Sequence, residues 1–376
     1  MIKLFAIGLL LAVACPVSAS MHSVQDYQTA ANMILAPGVR DYINGGAGDE
    51  MTLHANCSQF SNYLIVPPVL SLRSLPDCST TILGKSVAMP ICIAPTAFHK
   101  LAHPDGELAT SMAAQRAGSI YVISSFATVQ LAQLREQHDD MSHVWVKLLA
   151  FKNREFMHRV IQHAEQLGCG AIVITVDAPV SGKKRAMGNQ FALPEGVDLE
   201  LLREHDFFDD ASGTNEALHN FFTNHVNQLF SWDDVKAIVR STHLPVVLKG
   251  ILRPEDAQHA YECGVRGIIV SNHGGRQLDG TLPTLSALKN IMEQLAVPLE
   301  VYVDGGVRTG ADVFKALALG ARAVFIGRPV LWGLAVDGQQ GVHDVLTILK
   351  QELLMTMSLA GTARVNEIPV DVLRAQ

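Results

Sequence analysis

From Met89 onward the chain alternates between two hydrophobic rhythms. Continuous apolar runs, rich in β-branched residues, occur at Pro90–Pro95, Ile120–Ser124, Val144–Leu149, Ala171–Val176, Pro245–Lys249, Gly267–Ser271, Leu299–Asp304 and Ala323–Gly327. Between most of them, apolar residues recur every three or four positions, at Asp105–Ala117, Arg154–Leu167, Asp234–Ser241, Pro254–Cys263, Thr284–Leu295 and Gly310–Leu319. The first pattern predicts strands buried on both faces, the second amphipathic helices. Strand–helix alternation predicts a parallel sheet clothed in helices. Eight such units predict a (β/α)8 TIM barrel of the α/β class. An open doubly wound sheet is disfavoured, because no G-x-G-x-x-G follows the first strand.

The segments outside this rhythm are also legible. Ser23–Ile43 predicts one helix, stopped by Gly45-Gly46-Ala47-Gly48, and Asp49–Ser61 predicts a second. Thr80–Ala88 alternates about Gly84-Lys85 and predicts a hairpin that plugs one end of the barrel. Ala178–Phe230, after the fourth strand, is too long for an ordinary connection. It predicts a mobile loop carrying a helix near Asn215–Phe230.

The first twenty residues differ from the rest. Lys3, the apolar run Leu4–Ala14 and the small residues of Pro16-Val17-Ser18-Ala19-Ser20 form a secretory signal pattern cut after Ala19. The expected organisation is a signal peptide over 1–19 and a barrel domain over 20–376. The expected location is exported and periplasmic, with a cytoplasmic or membrane-associated protein as the alternative.

Composition narrows the partners. Of 376 residues, 48% are hydrophobic and 17% charged, so the chain can bury a large core. The net charge is −7 with no Lys/Arg block in the body, which argues against nucleic acid or an anionic membrane as partner. Cys57, Cys78, Cys92, Cys169 and Cys263 follow the signal at wide spacings, without a C-x-x-C or other metal pattern. Neither a disulfide framework nor a metal site is expected.

In a barrel of this kind function sits at the carboxyl ends of the strands. The residues closing these strands are Pro95-Thr96-Ala97, Ser124, Lys147, Leu149, Thr175, Asp177, Lys249, Ser271, His273, Arg276, Asp304 to Arg308, and Gly327-Arg328. So many titratable groups converging on one face point to a site. Asp304-Gly305-Gly306-Val307-Arg308 and Gly327-Arg328-Pro329 combine glycine N–H groups with guanidinium forks, as a phosphate requires. Taken alone, this pair suits FMN, a nucleotide or a sugar phosphate equally.

The string SNHGGRQLDG, residues 271–280, decides between them. It resembles the active-site signature of the FMN-dependent 2-hydroxy-acid oxidase and dehydrogenase family, which includes glycolate oxidase, lactate oxidase and L-lactate dehydrogenases. The resemblance runs from about Tyr27 to Ile368 and takes in ILGKSVAMPICIAPTAFHKLAHPDGE, ITVDAP, LKGI, VDGGVRTGADVFKALALGARAVFIGRP and MSLAGTARVNEI. It implies an FMN barrel that oxidises a small (S)-2-hydroxy acid, with O2 or a quinone or other carrier as electron acceptor. It also implies a homo-oligomer, often a tetramer. By position, Pro95, Thr96, Ala97, Ser124, Lys147, Thr175, Lys249 and Ser271 resemble flavin contacts. Asp304, Gly305, Gly306, Arg308, Gly327 and Arg328 resemble the phosphate grip. His273 resembles the base, Asp177 its orienting carboxylate, and Arg276 and Tyr42 the holders of the substrate carboxylate.

Several positions depart from the family pattern. Strand three normally ends Gln-Leu-Tyr and here reads Lys147-Leu148-Leu149. The second carboxylate-binding arginine resembles Lys184, with Arg185 beside it, and Phe126 stands where glycolate oxidase has tryptophan. A charged Lys147 at the ring edge would make the flavin easier to reduce. These changes leave two expectations: an oxidase or L-lactate dehydrogenase acting on lactate, glycolate or a longer-chain acid, or an exported flavin-binding protein with weak or lost catalysis.

Overall fold

The computed structural model describes residues 21–183, 193, 196–207 and 215–376. The expected signal peptide, Lys184 and Arg185 lie outside the described residues, as does much of the expected mobile loop.

Eight parallel strands close into a barrel: Ile91–Ile93, Tyr121–Ile123, Val144–Leu149, Ala171–Thr175, Val246–Ile251, Gly267–Val270, Glu300–Asp304 and Ala323–Ile326. Each follows its predecessor around the ring, and the last pairs with the first through Phe325 and Cys92. The predicted TIM barrel is therefore present, with strand bounds within a residue or two of the apolar runs.

Inward-facing side chains fill the barrel. Trp145, Tyr302 and Phe325 meet at 5.6 to 6.0 Å between ring centroids and form its aromatic plug. The hairpin Thr80–Ile82 with Lys85–Val87 closes the amino end, burying Ile82 and Val87 against this inner core.

The six expected helices occur, each ended by local chemistry. Arg154–Leu167 starts at Asn153, whose side chain accepts from the Phe156 amide at 2.9 Å, and stops at Gly168 in the left-handed region. Its apolar face, Phe156, Met157, Val160, Ile161 and Ala164, is buried.

Four features differ from the expectation. The helix predicted over Ser23–Ile43 is two helices, Val24–Ile34 and Pro37–Asn44, because Pro37 drives Ala36 into an extended conformation. Short helices also occur at Leu131–Gln137 and Glu200–Arg203. A long helical stretch, Arg328–Leu359, follows the last strand and breaks at Asp337-Gly338. Finally, Tyr63–Ile65 pairs antiparallel with Leu373–Ala375, tying the last residues back to the segment that precedes the barrel. The helix expected in the insertion spans Asn215–His225.

Candidate functional site at the carboxyl face

The carboxyl ends of the eight strands, or the loops that follow them, border one cavity of about 500 Å3, within the usual range for small-molecule sites. Tyr42, Pro95, Thr96, Ala97, Ser124, Lys147, Leu149, Lys249, His273, Arg276, Asp304, Gly305, Gly306, Arg308, Gly327 and Arg328 all line it. Thr175, Asp177 and Ser271 do not; they stand behind the lining and support it. Ser271 Oγ accepts from Lys249 Nζ at 2.8 Å and from the His273 amide at 3.0 Å, so its observed partners are protein groups.

His273 sits just past strand six in the left-handed region (φ 58), a costly conformation for a residue with a side chain. The turn is held by neighbours of the same motif. Asn272 exchanges two side-chain hydrogen bonds with Asn56 and accepts from the Gly275 amide. Gln277 accepts from the Gly182 amide and donates to the Val180 carbonyl, fixing the start of the loop after strand four. Asp279 accepts from the amides of Asp49, Met51 and Thr52 and so caps the helix Met51–Ser58. Much of the SNHGGRQLDG string is therefore scaffold, built to hold two side chains, His273 and Arg276.

The His273 Nδ1 hydrogen-bonds Asp177 Oδ1 at 2.9 Å, which turns Nε2 toward the cavity. Burial depresses the pKa of His273, and Lys249 and Lys147 add to this, while Asp177 pulls the other way; the net shift is downward. For Asp177, burial alone would raise the pKa, but the charge and hydrogen bond of His273, with Lys249 and Lys147, hold it below the usual carboxylate value. The pair at neutral pH is thus a neutral imidazole oriented by a carboxylate. That is a proton acceptor in waiting.

Lys249 is buried at the end of strand five, with Asp304 Oδ2 at 3.0 Å from its Nζ. Burial opposes its charge, but Asp304 and Asp177 outweigh burial and raise its pKa, so it stays cationic. Lys147 differs. It is 5% exposed, its Nζ lies 5.7 Å from the centre of the Phe126 ring, and its nearest titratable influences are Lys249 and Asp177. Burial and the Lys249 charge bring its pKa down to about 7, against the weaker pull of Asp177. The charge expected on Lys147 is therefore only partly present at neutral pH.

Two of the three arginines at this wall bond the end of the helix Pro37–Asn44. Arg276 donates to the carbonyls of Tyr42 and Gly45 and lies 4.7 Å over the Tyr42 ring. Arg328 donates to the carbonyls of Ile43, Gly45 and Gly274. Burial, with Arg276 and Arg308 nearby, brings its pKa down to about 9. Arg308 lies 5.0 Å over the Trp332 ring and donates to the Val307 carbonyl. So much positive charge at one wall calls for an anionic ligand.

The model of the FMN-dependent dehydrogenase family matches residues 31–375. The chain belongs to this family. It is 41% identical over 360 residues to the human 2-hydroxyacid oxidase 1, covering 93% of this chain and 96% of that protein. It is 41% identical over 347 residues to glycolate oxidase 3 of Arabidopsis thaliana, covering 92% and 94%. A crystal structure of mandelate oxidase with (S)-4-hydroxymandelic acid superposes with a TM-score of 0.87 at 38% identity, covering 95% of this chain and 99% of that one. The cofactor of this family member is FMN.

The residues present fit that group. Asp304 Oδ1, from a residue that lines the cavity, is a buried polar atom without a hydrogen-bond partner, a costly state that a polar ligand relieves. Gly305 and Gly306 adopt φ +96 and +85 at the foot of the arginine wall. A Cβ on Gly306 would lie 1.9 Å from the Asn56 carbonyl, so only glycine lets strand seven turn there.

Sequence reasoning missed several lining groups. Phe98, Ser181, Gly182, Lys183, His219 and Phe222 border the cavity. Phe98 carried a weak signal, lying directly after the Pro95-Thr96-Ala97 strand end. The others come from the insertion, where no rhythm assigns residues to the site.

Proposed function

We propose that this protein oxidises an (S)-2-hydroxy acid to the 2-oxo acid, favouring substrates whose side chain is bulky and apolar or aromatic. The observation that carries the reading is the Asp177–His273 pair at 2.9 Å, opening onto the same cavity as Arg276 and Tyr42. Oxidising the alcohol carbon removes an O–H proton and a C–H hydrogen with its electron pair, so the site needs a base, a carboxylate handle and an electron sink. Bound FMN supplies the electron sink. His273 Nε2 takes the hydroxyl proton, and Asp177 stabilises the imidazolium that results. Arg276 and Tyr42 hold the substrate carboxylate, with Lys184 as a further cation. Lys249, kept cationic by Asp304 and Asp177, would stabilise negative charge on a flavin held in this cavity. Arg308, Arg328 and the glycine amides that close strands seven and eight would hold the cofactor phosphate.

The preference for a large side chain is supported by the wall opposite the base. Leu149 is buried and lines the cavity. Phe126 stacks on Phe98 at 5.9 Å and meets Phe222 edge-on at 6.1 Å. The likeness to mandelate oxidase supports the same reading, and the names of the oxidase relatives support dioxygen as acceptor.

Anaerobic titration of the purified yellow protein with glycolate, lactate, longer aliphatic 2-hydroxy acids and mandelate tests the proposal. Bleaching of the flavin band, fastest with the bulky acids, is expected. A band that none of these acids bleaches overturns it and leaves a flavin-binding protein without this activity.

Residues 1–19 we propose to be an export signal, which requires FMN to be loaded after translocation if the chain is threaded unfolded. Intact-mass measurement on protein from its native host checks this; a start at Met1 would overturn it.

A further inference from the structure

Away from the cavity, the helix Arg154–Leu167 carries His163, and the short helix Glu200–Arg203 is followed directly by Glu204 and His205. One ligand atom from each of these three residues lies within 4.8 Å of the others. The His163 Nδ1 is 3.3 Å from His205 Nε2 and 3.8 Å from Glu204 Oε1. The two rings are close to perpendicular, with centroids 5.0 Å apart.

We infer that His163, Glu204 and His205 form a binding site for a divalent transition metal of the zinc type, with solvent completing the coordination. The separation of the imidazole nitrogens is what such an ion imposes: two Zn–N bonds of about 2.0–2.1 Å at a tetrahedral angle put the nitrogens about 3.3 Å apart. The carboxylate oxygen, at 3.8 Å, needs only a small movement or an opened angle. Two imidazoles and one carboxylate suit zinc and its neighbours in the first transition row, and exclude the all-oxygen sites preferred by magnesium and calcium.

The ligands are held in advance. Glu204 accepts from the amides of Leu131 and Ala132, at 2.7 and 3.0 Å, so its carboxylate is fixed while a lone pair stays available. His205 is buried, so its ring is held in place by the surrounding packing. One neighbour opposes the ion. Arg159 donates to the His205 carbonyl and pairs with Glu155 at 3.4 Å, so its charge lies beside the site. A weakly held hard cation would not overcome that repulsion.

An ion there would clasp the segment 196–207 to the helix that follows strand three, while Glu204 already joins it to the helix Leu131–Gln137. The site is therefore expected to act through stability. Its sequence signal is faint, because the two histidines are 42 positions apart.

The test uses FMN-loaded holoenzyme, freed of metal with a chelator and dialysed. Zinc is expected to bind with one equivalent per chain by calorimetry and to raise the melting temperature by several degrees, whereas magnesium at the same concentration does neither. His163→Gln and His205→Gln should each weaken zinc binding at least tenfold and abolish the thermal shift, with the flavin still bound. Cobalt substituted into the unmutated protein should give the intense visible bands of a four-coordinate site. The inference is overturned if zinc fails to bind below millimolar concentration, or if both variants bind it as tightly as the parent. Weak six-coordinate cobalt bands would overturn it as well, and that measurement does not depend on the variants folding.

Discussion

Gly250 is a glycine because Asp177 occupies the space beside it. A Cβ at position 250 would lie 2.5 Å from the Asp177 Cβ and 2.9 Å from its amide nitrogen, and Gly250 has φ +112 besides. The bulge between Lys249 and Ile251 in strand five gives the backbone room for this contact. The Lys-Gly pair of LKGI thus has two duties: a cation for the site, and a vacancy that seats the carboxylate behind His273. Gly250→Ala should displace Asp177 and loosen His273 without touching the arginine wall. Flavin reduction by the best substrate should slow by about 10²-fold with FMN still bound, as misplacement of a reacting group does elsewhere. A rate within threefold of the parent, measured by anaerobic stopped flow, would show that the pair does not depend on this packing.

The pH profile of kcat/KM should report the imidazole. The folded pKa of His273 lies below its ordinary 6.5, so the proton acceptor is available at neutral pH and is lost only as pH falls through that depressed value. Asp177 raises the His273 pKa, against burial and the lysines. In Asp177→Asn the acid limb should therefore move to still lower pH, while the maximal rate drops because the imidazolium has lost its counter-ion. An acid limb that moves upward in the variant contradicts the assignment of the base.

Lys147 makes a prediction about stability that does not involve catalysis. Its pKa falls from 10.5 to about 7 on folding, so between these values the unfolded chain binds more protons than the native one. Stability must then rise as pH increases from about 7 toward 10, and below 7 the full penalty of burying the charge is present. From the size of the shift the penalty is on the order of 5 kcal/mol. Lys147→Met should stabilise the apoprotein most at pH 6 and progressively less at pH 8 and 9. Urea unfolding across this range measures it, and an equal gain at every pH would mean that the lysine is solvated after all.

The barrel was legible because its strands are buried on both faces and leave unbroken apolar runs, while the helices outside keep a clean period. The elements missed were those whose formation depends on distant partners or on breaks. Tyr63–Ile65 is only three residues long and is a strand by virtue of Leu373–Ala375. The stretch Arg328–Leu359 carries Asp337 and Gly338 in non-helical conformations, which blurs its period. Within the site, residue type alone showed titratable groups converging at the strand ends, and the family resemblance supplied the roles expected of His273, Asp177 and Lys249. The part that Asn272, Gln277 and Asp279 play as scaffold was not legible, because an amide or carboxylate that caps a backbone looks the same in sequence as one that meets a ligand. The partial charge of Lys147 was likewise hidden: it follows from Lys249 and from burial, and neither is a local property.

Leu149 offers the sharpest test of substrate choice. It ends strand three, opposite Thr175 in the register of strands three and four, and is buried at the cavity wall. A tyrosine there would put a hydroxyl among the groups that meet the substrate; leucine gives an apolar surface instead, continuous with Phe126 and Phe222. For a small acid such as glycolate the missing hydrogen bond costs about 1 kcal/mol, and more if its partner stays buried and unpaired. For an acid with a phenyl or long alkyl group, burying that group against the leucine returns about 25 cal/mol for every Å2 removed from water, enough to offset the loss. Leu149→Tyr should therefore raise kcat/KM for glycolate and lactate by about fivefold or more and lower it for mandelate, reversing the order of preference. If the parent already favours glycolate, or the tyrosine changes all acids alike, the apolar wall does not select the substrate.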